Sequence, residues 1–282
     1  MQSKLIWTMA GLALAVATVV SAAPLATANS ARPAAVKADY RVSFAGVDIG
    51  RFGFRSEATG RGYTASASAK VRLLLGALKW TGSMSGSGRS SGGEVVPARY
   101  SQSFVSKRKL LFKTKRKSKS ANLKFSGRRI VSADVSPPLK TKDRVPLRAS
   151  HKRGVLDPLG ALVSLTTPAA GRNPCARRVP IFDGRQRFDL KLAPKSRRRS
   201  KGGTDHICSV RYIPIAGHRI NGKESQDIAR RRSVEVTLRA VDGSAILIPT
   251  RVRVPTRAGT AELTLKQVDI TTAAAKRIRL TN

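Results

Sequence analysis

The chain has 282 residues, of which 54 are Lys or Arg and 16 are Asp or Glu, giving a formal net charge of +38, while hydrophobic residues make up 41%. That apolar fraction supports a globular chain, and beyond residue 20 no apolar stretch approaches the length of a membrane-spanning helix. Charge of this size selects anionic partners by long-range attraction and hardly restricts the fold.

At the N-terminus, Lys4 precedes an apolar run over residues 5–20. Small residues follow, with Ala26-Thr27-Ala28 offering a cleavage site before Asn29 and Val20-Ser21-Ala22 a second one. This layout predicts a secretory signal peptide over residues 1–28, and hence an exported protein of the bacterial periplasm. In that compartment nucleic acid is not the expected polyanion. Lipid headgroups, lipopolysaccharide and acidic polysaccharide are, and peripheral membrane contact follows from the same charge. A Pro- and Ala-containing tether is expected over 29–38, one β-rich domain over 39–271, and a tail over 272–282.

Strand patterns dominate the mature chain. Tyr40-Arg41-Val42-Ser43-Phe44 alternates apolar and polar residues, the two-residue period of a half-buried strand. Gly46 and Gly50 bracket Val47-Asp48-Ile49, and Phe52 and Phe54 alternate again, which predicts a hairpin. Tyr63, Ala65, Ala67, Ala69 and Val71 form a third strand whose small inward face leaves room inside. Residues 73–80 break the alternation and predict a short helix or an apolar loop; 81–93 are a small-residue strand or a mobile loop. Strands return at 97–105 and 120–125, followed by a Pro-rich connector at 137–146.

Asp157-Pro158 opens the clearest helix, with Asp as cap, Pro at the first helical position and Pro168 as the stop. Segments 179–182 and 187–192 flank Asp183-Gly184 as a hairpin, 207–215 is a strand, and 234–241, 246–254 and 261–270 form a C-terminal meander. Basic loops are expected at 107–119 and 195–201. The count is about ten strands and one or two short helices. The fold class is mainly β, a curved antiparallel sheet forming an open barrel or a sandwich.

Few residues point to chemistry. Cys175 and Cys208 are an isolated pair in an oxidising compartment and are expected to form a structural disulfide, since two thiols with only His206 nearby fall short of a metal site. Gly88-Arg89-Ser90-Ser91-Gly92 matches a nucleophile-elbow string but sits in a Ser/Gly-rich tract without the strand-to-helix turn that motif requires. His151, His206 and His218 lie far apart. Asp157 is assigned to the helix cap, Asp183 to a turn, and Asp189 to ion pairing with its basic neighbours. No catalytic residue, metal site or cofactor is expected. The candidate anion- or membrane-binding residues are Lys107, Arg108, Lys109, Lys113, Lys115, Arg116, Lys117 and Lys119, with Leu110, Leu111 and Phe112 embedded, together with Arg197, Arg198 and Arg199. Arg230-Arg231-Arg232 adds a third cluster.

Three segments carry a resemblance: Tyr40 to Gly50 with its Val-Asp-Ile-Gly ending, the Asp157-Pro158-Leu159-Gly160-Ala161-Leu162 helix start, and the stretch from Pro180-Ile181-Phe182-Asp183-Gly184 to Leu190, with Cys208-Ser209-Val210-Arg211-Tyr212 in the same pattern. Together they resemble DUF3108, a family of exported Gram-negative proteins of unknown function. The resemblance implies a periplasmic β-rich domain and brings no catalytic residues. The function expected is non-enzymatic binding of a lipidic or amphipathic envelope ligand by the curved sheet. A polyanion- or anionic-membrane-binding scaffold is the alternative, and an uncharacterised hydrolase has the least support.

Overall fold

The computed structural model describes residues 34–73, 76–91, 94–109, 113–167, 173–222, 230 and 234–281, which fall in one compact unit. The expected signal peptide lies outside these residues. Among the described residues fourteen strands form a single antiparallel sheet: β1 (Ala34–Phe44), β2 (Val47–Thr59), β3 (Gly62–Leu73), β4 (Leu78–Ser91), β5 (Glu94–Lys109), β6 (Thr114–Ser126) and β7 (Arg129–Ser136) come before the helix α1 (Pro158–Thr166). After it come β8 (Arg177–Phe182), β9 (Arg187–Ser200), β10 (Gly203–Ala216), β11 (Val234–Val241), β12 (Leu247–Thr256), β13 (Gly259–Thr271) and β14 (Arg277–Thr281). The order across the sheet is β7-β6-β5-β4-β3-β2-β1-β13-β12-β11-β10-β9-β8, with β14 added on β13. Two meanders are thus joined through β1 and β13.

Alternation explains most of this. In β1 Val36, Ala38 and Tyr40 are buried while Lys37, Asp39 and Arg41 are exposed. The turn to β2 is the two residues Ala45 (φ 48°) and Gly46 (φ 85°), whose shared left-handed backbone matches the twist of the flanking strands.

Several expectations need correction. Strand β1 begins at Ala34, inside the span read as a tether, because Val36 and Ala38 already alternate into the core. The supposed tail holds β14, whose Ile278 and Leu280 alternate with arginines. The helix or apolar loop expected over 73–80 gives way to strand from Leu78, and for 81–91 the small-residue strand is the alternative that holds, in one long strand with 78–80. Both basic runs lie largely in strands: Lys107, Arg108 and Lys109 end β5, Lys115 to Lys119 begin β6, and Lys195 to Ser200 end β9. Charges on both faces of a strand that overhangs the core leave no apolar rhythm to read.

Helix α1 lies inside the curl, against β3, β4, β5, β8 and β12, with Leu159, Ala161 and Val163 buried. Ala65, Ala67 and Ala69 are buried beneath this region, and a Cβ added at Gly86 would lie 3.6 Å from Leu159 Cβ. The small inner faces of β3 and β4 therefore admit the helix, so much of the interior room implied by the alanines is filled.

The sheet is not closed by strand pairing between β7 and β8. Their seam is spanned by loops. Leu156 N donates to Pro180 O and Phe182 N to Leu156 O, each at 2.9 Å, while Val155 N reaches Arg128 O at 3.0 Å. At the β8–β9 turn the Arg185 guanidinium donates to Ser136 O (2.6 Å) and Pro137 O (2.9 Å), and Gln102 Nε2 donates to Asp183 O (2.8 Å). Gly184 (φ 92°) lies so close to β6 that a Cβ there would come within 2.7 Å of Ala121 Cβ. Cys175 and Cys208 are bonded and buried with Cα atoms 5.2 Å apart, which ties the chain after α1 to β10.

Candidate functional site

Cross-strand register sorts the concave face into rows. The deep rows hold Ala65, Gly86, Tyr100 and Leu123, next to α1. Further along the strands lies Tyr40–Phe52–Ala69–Gly82–Phe104–Lys119, where each residue opposes the next. Beyond it comes Val252–Leu263–Val42–Gly50–Val71–Trp80–Ser106–Lys117, and then the shorter Leu73–Leu78–Arg108–Lys115. Val42, Phe52, Val71, Leu78, Trp80, Phe104, Val252 and Leu263 are only half-buried. This part of the inner face is an open apolar shelf.

The centre of the shelf is the Trp80–Phe104 pair, stacked with ring centroids 5.0 Å apart at 19°. Gly82 makes the stack possible, because a Cβ there would lie 2.4 Å from the Phe104 ring. Each of the three rows beyond the deep one ends at β6 in an exposed cation: Lys119, Lys117 and, with Arg108 beside it, Lys115. An amphipathic molecule laid along a row would meet apolar side chains first and cations at its end.

Strand alternation splits the candidate basic residues between two faces. Arg108, Lys115, Lys117 and Lys119 share the inner phase with Phe104, whereas Lys107, Lys109 and Arg116 belong to the outer phase. Lys113 is exposed just before β6, and residues 110–112, with their apolar triplet, lie outside the described residues. Among the described residues none of these eight cations forms an ion pair with a carboxylate. The β9 run behaves differently. Arg198 approaches Asp205 (3.6 Å), Arg199 makes a two-pronged contact with Asp242 (2.6 and 3.0 Å), and Lys195 pairs with Glu235. These cations serve the fold. Burial, helped by the charge of the flanking Arg197, holds the His206 pKa below its ordinary value. Arg230 is exposed, and Arg231 and Arg232 lie outside the described residues.

The family model described as Protein of unknown function (DUF3108) matches residues 39–266. The chain belongs to the DUF3108 family. A crystal structure from Brucella abortus, described as a beta-barrel-like protein of domain of unknown function DUF1849, shares the fold with this DUF3108 chain. It has a TM-score of 0.52, covers 86% of this chain and 98% of its own, and is 12% identical, a likeness of fold alone. No curated protein matches the sequence.

The carboxylates of this DUF3108 chain that invite a catalytic reading have structural partners. Asp157 Oδ1 accepts from Leu159 N and Gly160 N, each at 2.9 Å, as a helix cap should. Burial, partly offset by those bonds, raises its pKa to about 6. Asp183 Oδ1 accepts from Arg185 N (2.7 Å) and Gln186 N (2.6 Å) within the β8–β9 turn. Asp189 is buried between Arg178 and Arg187. Asp205 takes a two-pronged contact from Arg239 (2.7 and 3.0 Å) and a hydrogen bond from Ser200 Oγ (2.6 Å). Burial works to raise the Asp205 pKa, but these donors outweigh it and hold the carboxyl below its usual range. Arg239 had no signal in the sequence beyond its place in a strand. The string at 88–92 lies in β4 as far as Ser91, not at a strand-to-helix turn. His151 Nδ1 accepts from Arg148 N (3.2 Å), and among the described residues no three His, Cys, Asp or Glu side chains group as metal ligands.

Proposed function

We propose that this chain is an exported, periplasmic, non-enzymatic protein whose concave face holds a lipidic ligand with an anionic head. One observation carries the reading: the half-buried apolar rows that cross Trp80 and Phe104 end on the same face in Lys117 and Lys119. Apolar surface takes the chain, worth about 25 cal/mol per Å² removed from water. The lysines take the headgroup. The deep half of the curl is filled by α1, so the ligand lies on the open shelf rather than in an enclosed barrel. Export is supported by the leader pattern at residues 1–28 and by the disulfide. A non-catalytic role is supported by the structural duties of Asp157, Asp183, Asp189 and Asp205.

The test is native mass spectrometry of protein purified from periplasm. An acyl lipid is expected on the parent and is expected to be lost from a Trp80→Ala/Phe104→Ala variant that keeps its β-sheet circular dichroism. A clean apo mass for the parent under gentle desolvation would sink the reading.

A further inference from the structure

The outer face carries a feature that only the register reveals. Arg72 opposes Lys79, Lys79 opposes Lys107, and Lys107 opposes Arg116, so four cations on four adjacent strands stand in one row. Strand spacing makes the row about 14 Å long. One register step away, Arg41 opposes Arg51 and Arg51 opposes Lys70. All seven are exposed, and none has a carboxylate ion-pair partner among the described residues. Like charges set directly opposite each other destabilise a sheet, and here they recur across three successive strand pairs.

Beside the four-cation row is a cleft of about 810 Å³. Phe44, Val47, Ile49 and Leu73 line it with Arg72, Lys79 and Lys109. Val47, at the β1–β2 turn, is 65% exposed. Asp48, the one carboxylate bordering the cleft among the described residues, accepts from Gly50 N within its own strand (3.0 Å). Apolar side chains at the hairpin tips with cations one step behind them match the depth profile of a bilayer interface, acyl boundary first and phosphates next. A soluble polyanion would use the cations and have no use for the apolar tips.

We infer that this end of the sheet docks on an anionic lipid bilayer, with the Arg72–Lys79–Lys107–Arg116 row at the headgroup phosphates and Val47 in the interface. The inference does not need a lipid on the concave shelf, and the two fail separately: the shelf is read by bound mass, the docking by vesicle binding. Docking would bring the open shelf close to a membrane surface.

The experiment uses the mature chain with vesicles of equimolar phosphatidylcholine and phosphatidylglycerol, and with heparin as a soluble polyanion. In the row variant Arg72, Lys79, Lys107 and Arg116 all become Gln. In a control of equal charge change, Arg55, Arg89, Arg99 and Lys124, elsewhere on the outer face, become Gln. The row variant is expected to weaken vesicle binding by at least about tenfold more than the control and to flatten its salt dependence. Its melting temperature is expected to equal or exceed the parent's, since repulsion is removed. Val47→Asp is expected to weaken vesicle binding and leave heparin binding unchanged. Equal losses in row and control variants would overturn the inference in favour of diffuse charge. Loss of vesicle and heparin binding together in the row variant, with no effect of Val47→Asp, would overturn it in favour of a soluble polyanion.

Discussion

Asp157 is fully buried, yet among the described residues only one of its carboxylate oxygens has a hydrogen-bond partner. The Tyr63 hydroxyl, also buried without a partner, faces the same space: a Cβ on Gly160 would lie 2.8 Å from Asp157 Oδ2 and 3.2 Å from the Tyr63 oxygen. Burial raises the Tyr63 pKa, and the nearby Asp157 charge adds to the shift. The carboxylate thus supplies a cap at the cost of a buried charge. With its folded pKa raised to about 6, the native state holds a proton that the unfolded chain releases nearer pH 4. Stability from this group is therefore greatest at low pH, declines as pH rises through roughly 4 to 6, and is flat above. Asp157→Asn keeps an amide oxygen for the cap and buries no charge. At about pH 7.5 it is expected to melt at or above the parent, and the parent gains on it when both are melted at about pH 5. Asp157→Ala loses the cap and is expected to fall below Asn at both pH values by about 0.5–2 kcal/mol. A parent that drops further behind Asn on acidification would contradict this account. If Asn abolished lipid binding or an envelope phenotype without changing stability, the residue would have a role beyond the cap.

At the scale of elements, legibility followed the apolar rhythm. The β1–β2 hairpin, the Asp157-Pro158 helix start and the Asp183-Gly184 turn could be read because each has its own residue chemistry. Strand β4 could be read only as one of two alternatives, since its inner face is Gly82, Met84, Gly86 and Gly88: Phe104 and α1 occupy the space where larger side chains would otherwise alternate. The overhanging halves of β5–β6 and β9 read as basic loops for the opposite reason, having charge on both faces and no core beneath. Lys107 and Arg116 were visible as part of a run, but Arg72 and Lys79 join them only through three strand pairings, which no local window contains. The disulfide belongs to this scale as well. It closes a loop of 33 residues and fastens the segment after α1 to buried Cys208. Chain entropy gives such a bond about 3–4 kcal/mol. Replacing both cysteines by Ala is expected to lower the melting temperature and keep the sheet's circular dichroism. Hydrogen exchange is expected to show α1 and the neighbouring β8 losing protection before β1 to β3, because the bond anchors only that region. Two alkylatable thiols in natively exported parent protein would remove the premise.

For the whole molecule the open question is whether salt stabilises or weakens it, because attraction and repulsion are both present. Screening the exposed pairs Lys195–Glu235, Arg199–Asp242, Arg251–Glu262 and Arg279–Asp269 loses little, since such pairs contribute about 0–1 kcal/mol each. The Asp205–Arg239 pair is buried, with side chains 1% and 10% exposed, and salt reaches it poorly. Against these stand 54 cations and 16 carboxylates, with like charges directly opposed along Arg72–Lys79–Lys107–Arg116 and Arg41–Arg51–Lys70. Cross-strand neighbours about 4.8 Å apart lie well inside the Debye length of about 10 Å at 0.1 M, so their repulsion is only partly screened there and falls further at higher salt. Repulsion is the larger effect. The melting temperature is expected to rise steadily from low to moderate sodium chloride. A soluble polyanion is expected to reproduce the rise at a far lower concentration, because it binds the folded lattice of charge. The row variant should show a shallower rise than the parent, having surrendered the closest repulsive contacts. A melting temperature that falls with added salt would mean the ion pairs dominate, and the cation rows would then carry no stored repulsion for a membrane to relieve.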